Sequence, residues 1–495
     1  MLFNSFQFLI FFPIVTLVFF VVPKKIRYIW LLLASYYFYM CWNAKYALLL
    51  FFSTAITWLS AVIMEWLGQS AYTEEKIRFG KKCCVAASFI LNLFVLFFFK
   101  YFDFAVDNLN RILEHLQLRI LSPGMNIILP VGISFYIFQA LGYTVDVYRG
   151  EIQVEKNPAR YALFVSFFPQ LVAGPIERSQ NLLLQMRKIE QIKVWNYERI
   201  KNGLLLMIWG FFQKLVIADR IAILTDNIFD YYAEYGMVEL LTAAMLFSFQ
   251  IYCDFGGYSL IAKGCAQIMG FELMDNFRQP YLAMDIKDFW RRWHISLTTW
   301  FTDYVYIPLG GNRKGRKVQC RNILIVFLSS GLWHGANWTY VIWGFLHGLT
   351  QVIDNIWKWL GLQRQILHRR YLQVLVRILK TGITFGVVTI YWIFFRADSL
   401  TDALAYLKQC TKVLRRHTFV DMGLSKGNWI VLLLALLILF AVDIIHERKI
   451  HIRALIEKQN LVIKGFIYLA AVWIVILFGV YGFQYDASQF IYFQF

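Results

Sequence analysis

The stretch from Asn322 to Gly348 constrains the fold of this chain most strongly, because it contains no Asp, Glu, Lys or Arg. A run of this length is long enough to cross a bilayer as an α-helix. Near its middle lies His334, within the sequence Gly331-Leu332-Trp333-His334-Gly335. A titratable side chain at membrane depth is costly and generally serves a function. The run therefore predicts a membrane-embedded segment with a functional histidine inside it. Because it is long for one helix and contains Gly331 and Gly335, it is compatible with two shorter helices broken near His334, which would open a tunnel there.

The composition of the whole chain is that of a polytopic membrane protein. Of its 495 residues, 59% are hydrophobic and 16% are charged, whereas about a quarter of the residues of a soluble domain are charged. We expect an all-α fold with roughly ten to twelve transmembrane helices, which share one bilayer core, so that residues 1–495 form a single membrane-embedded domain. The predicted spans lie near residues 2–22, 28–43, 46–64, 83–101, 125–146, 203–221, 237–253, 322–349, 381–395, 428–442 and 465–485.

Three further segments do not fit a simple crossing. The runs 161–174 and 257–270 are too short to span comfortably and contain or adjoin Gly and Pro, which predicts re-entrant or broken helices covered by protein. Segment 103–120 has leucine and isoleucine at helical spacing, a pattern compatible with a helix that lies flat on the outer membrane surface.

The charge distribution gives the orientation of the chain. The net charge is +18, but the basic residues lie in short loops between apolar runs, so we expect contacts with membrane lipid headgroups and no nucleic acid partner. The basic segment 178–201 and the group Arg313–Lys317 predict the cytoplasmic side. The acidic segment 225–236 is expected outside.

The cysteines and histidines do not favour a metal or redox centre. The seven cysteines include no CxxC pair, and the eight histidines have no HxxxH spacing, so neither a disulfide framework nor a metal site is expected. There is also no GxSxG, P-loop or dinucleotide-binding fingerprint.

A second histidine lies in the segment Asp285–Gly311. If a helix begins near Ile286, His294 falls on its apolar face with several aromatic side chains, one turn after Trp290. Asp288 can then pair with Arg292 four residues later. The simpler alternative is an interfacial amphipathic helix whose histidine belongs to the core.

The chemistry expected of His334 is that of a base. Its small neighbours Ser330, Gly331 and Gly335 let another helix or a ligand approach the backbone. A neutral imidazole, which burial favours over the charged form, can take a proton from an alcohol that attacks a carbonyl. The alternative is a histidine that only hydrogen-bonds between helices. His347 faces another way around the helix and is interpreted as structural.

Other polar residues lie in apolar surroundings and have two interpretations. Either they make local hydrogen bonds or ion pairs, or they line the mouth of a tunnel. These residues are Gln139, Asp146, Glu177, Asp254 and Lys263.

These motifs resemble those of the membrane-bound O-acyltransferase superfamily. The segments FWRRWHISL (289–297) and SGLWHGANW (330–338), with their histidines forty residues apart, match the two active-site segments of that superfamily. Within it, the chain resembles the branch that contains the membrane subunit of bacterial alginate O-acetylation systems. The features that carry this resemblance are Tyr306–Arg313 (YIPLGGNR), Ala173–Arg178 (AGPIER), Phe394–Ala397 (FFRA) and the ending FIYFQF.

The resemblance implies a ring of tilted helices around a central tunnel, in the cytoplasmic membrane of a bacterium. An acyl thioester, acetyl-CoA or an acyl carrier, would enter from the cytoplasm as a substrate, with no bound cofactor. The acceptor hydroxyl would lie outside, on a cell-surface polymer or on an extracytoplasmic partner that resembles serine hydrolases. D-alanyl transfer to teichoic acid and a transporter or lipid flippase are the alternative functions.

The resemblance also implies roles for individual residues. His334 takes the position of the catalytic histidine and His294 the second active-site position. The residues expected to bind substrate are Arg291, Arg292, Trp293, Ser330, Trp333 and Asn337.

Overall fold

A computed structural model describes residues 1–118, 120–121, 129–360, 370–412, 422–481 and 491, without the side chains of 370–372. Over these residues the regular structure is entirely helical, which confirms the predicted all-α class. The chain divides into two compact units, Met1–Met207 with Ile261–Met274 and Ile208–Leu260 with Asp275–Phe495. That the whole chain acts as a single domain stays a prediction.

The first unit is built from the N-terminal helices. Two later helices, α10 and α12, contribute residues to both units. The helices of the first unit are α1 (Phe6–Val21), α2 (Arg27–Met40), α3 (Ala47–Gln69), α4 (Glu74–Leu96), α5 (Phe102–His115), α6 (Ile133–Arg149), α7 (Pro158–Ser166), α8 (Phe168–Leu171) and α9 (Leu184–Arg187), with π-helical turns at Phe97–Tyr101 and Ser179–Leu183. The shared helices are α10 (Tyr197–Phe211) and α12 (Met237–Met269); the π-helical turn Phe212–Ala218 and α11 (Asp219–Asp230), which lie between them in the chain, belong to the second unit.

The short run 161–174 is a broken helix, as its length predicted. Helix α7 begins at Pro158, where Asn157 caps it by accepting hydrogen bonds from the next backbone amides. It ends before Phe167, and α8 follows with Pro169 in its first turn. The backbone N–H of Phe168 donates to the hydroxyl of Ser35 (3.1 Å). The interrupted backbone is therefore buried and satisfied inside the first unit, as a break at membrane depth requires.

The second unit contains the segments that carry both motifs. Besides parts of α10 and α12 it includes α11 and all later helices. These are α13 (Ile286–Arg292), α14 (Ile295–Phe301), α15 (Arg316–His334), α16 (Trp338–Trp359), α17 (Arg370–Arg396), α18 (Leu400–Gln409), α19 (Lys426–Glu447), α20 (Ile452–Glu457) and α21 (Leu461–Phe478), with a π-helical turn at Thr302–Tyr306.

Six helical segments in the described part of the chain are long and apolar enough to cross a membrane. They are Ala44–Gln69, Glu74–His115, Met237–Met269, Gln373–Arg396, Lys426–Glu447 and Leu461–Phe478. The larger number of crossings expected from the apolar runs stays a prediction. One expectation is corrected: residues 257–269 are not a separate short helix but the second half of the continuous helix α12. Its paired glycines did not break the helix, because Gly257 packs against the backbone of a neighbouring helix at Gly210.

Segment 103–120 is helical up to His115, and none of the residues of α5 is buried. This agrees with the amphipathic pattern. Its position on the outer membrane surface stays a prediction.

Candidate active site

The stretch that opened the sequence analysis is a helical hairpin, which confirms the expected break near His334. Helix α15 ends at His334 because Gly335 adopts an extended backbone (φ −167°, ψ 155°). Helix α16 begins at Trp338, after Asn337 has capped it by accepting a hydrogen bond from the N–H of Thr339 (3.1 Å). His334 is therefore the last residue of the first helix, at the closed end of the hairpin.

Two glycines let the helices of this hairpin approach closely. A Cβ atom at Gly331 would lie 2.3 Å from the carbonyl oxygen of Tyr340, and one at Gly344 would lie 2.3 Å from the carbonyl oxygen of Phe327. Both distances are shorter than any side chain tolerates, so only glycine fits. The prediction that small residues near His334 admit a second helix is confirmed.

The backbone at His294 corrects a second expectation. The apolar pattern from Phe289 onward predicted one helix, but α13 ends at Arg292 and α14 begins at Ile295. His294 lies in the break with left-handed dihedral angles (φ 44°, ψ 51°). For a residue with a Cβ atom this conformation costs about 1–3 kcal/mol, and it is concentrated at functional sites. The periodicity of the side chains continues across the break and so conceals it.

The fold brings the two histidines of the two motifs together. The ring centroids of His294 and His334 lie 6.2 Å apart at an interplanar angle of 64°. Both side chains are buried, with 0% and 3% of their surface exposed. The indole of Trp333 contacts both rings, at 5.9 Å from His294 and 5.0 Å from His334. A small reacting group between these rings would be within reach of both imidazoles.

Aromatic side chains from three other helices form the walls of this site. Phe255 on α12 lies 4.7 Å from the ring of His294. Trp343 on α16 and Phe395 on α17 lie 5.0 and 5.4 Å from the ring of His334. The sequence analysis missed Phe255 and Trp343 as site residues, because nothing in their local sequence sets them apart from the many other aromatic residues.

A cavity of about 360 Å³ lies beside α15, in the same unit as the two histidines. It is bounded by α13, α14 and the turn Thr302–Tyr306 on one side and by the α15–α16 hairpin on the other. On α15 it follows one face of the helix, through Gln319, Ile323, Phe327 and Ser330. His334 is four residues beyond Ser330 and so continues this face. On α15 the lining of the cavity therefore extends to Ser330, one helical turn from the site.

Comparison with known proteins identifies the family of this chain. The family model of the membrane-bound O-acyltransferase family matches residues 148–390, a range that includes both histidines. The peptidoglycan O-acetyltransferase of Helicobacter pylori is 37% identical over 407 residues, which cover 77% of this chain and 73% of that protein. The probable alginate O-acetylase AlgI of Pseudomonas putida is 37% identical over 408 residues, which cover 81% and 78%.

The chain belongs to the membrane-bound O-acyltransferase family. It is a multi-pass membrane protein and an O-acyltransferase, and the two relatives above are named for O-acetyl transfer. Similarity to the teichoic acid D-alanyltransferase of Bacillus subtilis is lower, with 31% identity over 251 residues, which cover 48% of this chain and 62% of that protein.

Of the residues expected to bind substrate, some line the cavity or contact the histidines of this O-acyltransferase, and others are buried among neighbouring rings. Ser330 lines the cavity, and the ring of Trp333 contacts the rings of both histidines. Arg291 is exposed and lines the cavity together with Lys287, which the sequence analysis did not select. Trp293 is buried against the rings of Phe289 and Trp392.

Asn337 and Arg292 are both engaged in structural contacts. Besides capping α16, Asn337 donates to the carbonyl oxygen of Asp398 (2.7 Å). The guanidinium of Arg292 pairs with Glu447 on α19 (2.6 Å) and with Asp288 (3.0 Å), which confirms the predicted pair four residues apart. These contacts fasten α13 to α19 just before the break at His294.

His347 and the other buried polar residues have local partners. His347 packs 5.0 Å from Trp343, and its Nδ1 accepts a hydrogen bond from the indole N–H of Trp290 (3.2 Å). Four of the polar residues weighed above make local bonds, which favours the first of their two interpretations. The pairs are Gln139 with the carbonyl of Phe164 (2.6 Å), Asp146 with Ser179 (2.5 Å), Glu177 with the N–H of Met274 (2.5 Å), and Asp254 with Lys214 (2.6 Å).

Proposed function

We propose that this protein is an O-acetyltransferase that moves an acetyl group from a cytoplasmic thioester to a hydroxyl group on the outer side of the membrane. The observation that carries the proposal is the meeting of His294 and His334, whose buried rings lie 6.2 Å apart. His334 is one helical turn beyond Ser330, which lines a cavity that Lys287 and Arg291 also line. Such a site can receive a thioester along the cavity and hold its carbonyl carbon away from bulk water.

His334 acts as the general base in this proposal. Its imidazole takes the proton of the acceptor hydroxyl while the oxygen attacks the thioester carbon. The new C–O bond forms, the C–S bond breaks, and the departing thiolate receives the proton. General-base catalysis by a positioned side chain contributes about 10²–10⁴-fold to the rate.

His294 orients the thioester or stabilises the negative charge that develops on its carbonyl oxygen. A hydrogen-bond donor held in place before the reaction costs no reorganisation when the charge appears. The break between α13 and α14 supports this role, because it fixes the imidazole near His334. Ser330 and Trp333 contact the donor next to the reacting carbon, while Trp293 and Asn337 keep the surrounding backbone in place.

Lys287 and Arg291 give the cavity a basic mouth, which suits a donor with phosphate groups such as acetyl-CoA or a phosphopantetheine carrier. Both are exposed side chains on α13 that line the cavity. Arg292 is less suited to this task because two carboxylates already hold its guanidinium. The orientation with the mouth toward the cytoplasm follows from the basic group Arg313–Lys317, which lies just before α15.

The acceptor is a hydroxyl of a cell-surface polysaccharide or peptidoglycan, or of an extracytoplasmic serine-hydrolase-like partner that passes the acyl group on. The names of the two relatives with 37% identity support acetyl transfer to polymers of these classes. D-alanyl transfer to teichoic acid is the second candidate, with support from a relative that matches only 48% of the chain.

The proposal is tested with membranes from a deletion strain, with and without the restored protein. Membranes that contain the protein should incorporate label from an acetyl thioester into polymer or partner as a base-labile ester, and the deletion membranes should not. Incorporation of labelled D-alanine alone would favour the second candidate. Movement of a substrate across the membrane with no new ester would indicate a transporter and contradict the proposal.

A further inference from the structure

The break that contains His294 is held by hydrogen bonds on both sides. On the earlier side, the carbonyl oxygen of Arg292 accepts from the N–H of Arg278 (2.9 Å). On the later side, the N–H of Ile295 donates to the carbonyl oxygen of Asn276 (3.0 Å). Residues 276–278 thus form a strap that brackets Trp293 and His294. A left-handed histidine persists only when its surroundings fix it in this way.

The side chain of Asn276 extends this strap to helix α12. Its Oδ1 accepts from the hydroxyl (2.6 Å) and from the N–H (3.4 Å) of Ser296. Its Nδ2 donates to the hydroxyl of Ser259 on α12 (3.0 Å). All three side chains are buried, with at most 3% of their surface exposed. In such surroundings each lost hydrogen bond leaves an unsatisfied polar group.

Helix α12 also contacts the imidazole itself. Phe255 lies one turn before Ser259, on the same face of the helix, and its ring packs 4.7 Å from that of His294. The same face of α12 therefore fixes the backbone at His294, through Ser259 and Asn276, and supports the ring through Phe255.

We infer that Asn276 is a positioning residue for acyl transfer, which holds His294 in its left-handed conformation through Ser296 and Ser259. The inference rests on the proposed function, because it needs His294 to act on the reacting thioester. Asn276 suits the task because its amide accepts on one side and donates on the other. Alanine at this position would remove both contacts and let the backbone at His294 relax.

The test compares four purified proteins: wild type, Asn276→Ala, His294→Ala and the double variant. Turnover is measured at increasing concentrations of labelled acetyl thioester. Displacement of a catalytic group by about 1 Å can cost about 10²-fold, so Asn276→Ala should lower kcat by between about 10-fold and 100-fold and leave KM for the donor nearly unchanged. The double variant should be no slower than His294→Ala, because both changes remove the same contribution.

Asn92→Ala is the matched control. Asn92 is also a buried amide, 1% exposed, and it accepts from the hydroxyl of Ser53 (2.5 Å) in the first unit. This variant should lower the thermal midpoint and leave kcat per folded molecule unchanged. If Asn276→Ala does not accumulate, Ser259→Ala takes its place, because it removes only the hydrogen bond between Asn276 and α12. It should lower kcat by a smaller factor and again leave KM for the donor nearly unchanged.

The outcomes separate the inference from the proposed function. A slow His294→Ala with a fully active Asn276→Ala would overturn the inference and leave the proposed function intact. Additive losses in the double variant would also overturn it, because Asn276 would then act independently of His294. A fully active His294→Ala would overturn the role of His294 in the proposed function and the inference with it.

Discussion

At the scale of single residues, His294 and His334 stand out because both occupy interruptions of a helix. His334 is the last residue of α15, and His294 precedes the first residue of α14. Both are surrounded by aromatic rings that exclude water, which strengthens any hydrogen bond made to a substrate.

Glu177 gives a residue-scale prediction about stability. Burial raises the pKa of Glu177 to about 7, although its carboxylate accepts bonds from Met274 and Asn181. Since the folded pKa lies above the unfolded value of ~4.3, the folded state loses stability as pH rises through this interval. Between pH 5 and pH 8 the loss is about 2–3 kcal/mol.

The measurement is the thermal midpoint of the purified protein at several pH values, beside that of Glu177→Gln. The thermal midpoint of wild type should fall relative to that of Glu177→Gln as pH rises from 5 to 8, and the difference should then stay constant. Parallel pH curves would mean that Glu177 does not titrate in this range.

At the scale of elements, the decisive feature is the α15–α16 hairpin. Its two helices contact at Gly331 and Gly344, where any side chain would collide with a backbone carbonyl. This contact closes one side of the cavity and fixes where His334 points. Helices α13 and α14 close the other side, and the ion pair of Arg292 with Glu447 fastens them to α19.

Gly331→Ala should therefore disrupt the hairpin. Its methyl group would lie 2.3 Å from a carbonyl oxygen that cannot move without displacing α16, and overpacking of this kind costs about 1–3 kcal/mol. Gly386→Ala is the control, because Gly386 lies within α17 and nothing approaches its Cβ position.

In thermal unfolding, Gly331→Ala should have a lower midpoint than wild type and Gly386→Ala an equal or higher one, since alanine favours helix by about 1 kcal/mol over glycine. Equal midpoints for Gly331→Ala and wild type would show that the close contact does not stabilise the hairpin.

Sequence alone predicted the helical class, the two histidine segments and the small residues around His334, because these depend on local composition and periodicity. It did not reveal the break before His294, since the apolar pattern of 289–301 continues through it. It also could not show that Arg292 binds a carboxylate 155 residues away, at Glu447. Contacts of this kind depend on tertiary packing, which leaves no periodic trace in the sequence.

At the scale of the whole molecule, the excess of basic residues has two separable effects. We expect the net charge of +18 to orient the chain and to attract anionic lipid. In the proposed function, Lys287 and Arg291, the basic residues that line the cavity, bind the donor. The group Arg313–Lys317 follows Asn312, another residue of the cavity wall, and we expect it to contribute to orientation.

Charge reversal separates these effects. The double variant Lys287→Glu and Arg291→Glu should raise KM for a phosphate-bearing donor and abolish its salt dependence, because exposed charges are screened over about 10 Å at 0.1 M salt. The double variant Arg313→Glu and Lys314→Glu, at matched protein level, should leave the donor KM unchanged. Equal increases of the donor KM in the two double variants would indicate general electrostatic attraction of the donor and no specific contact with Lys287 and Arg291.

The central claim is that His334 supplies the base for acyl transfer, and a neighbouring histidine offers the sharpest comparison. The rings of His334 and His347 both pack 5.0 Å from the ring of Trp343 on α16. His347→Asn keeps an acceptor near the position of Nδ1 for the indole of Trp290, whereas His334→Ala removes the base. The measurement is the O-acetyl content of the cell-envelope polymers, by mass spectrometry, in strains with equal membrane levels of each protein. We predict that His334→Ala falls to the level of the deletion strain while His347→Asn retains most of the wild-type content. Wild-type O-acetylation by His334→Ala would contradict the account.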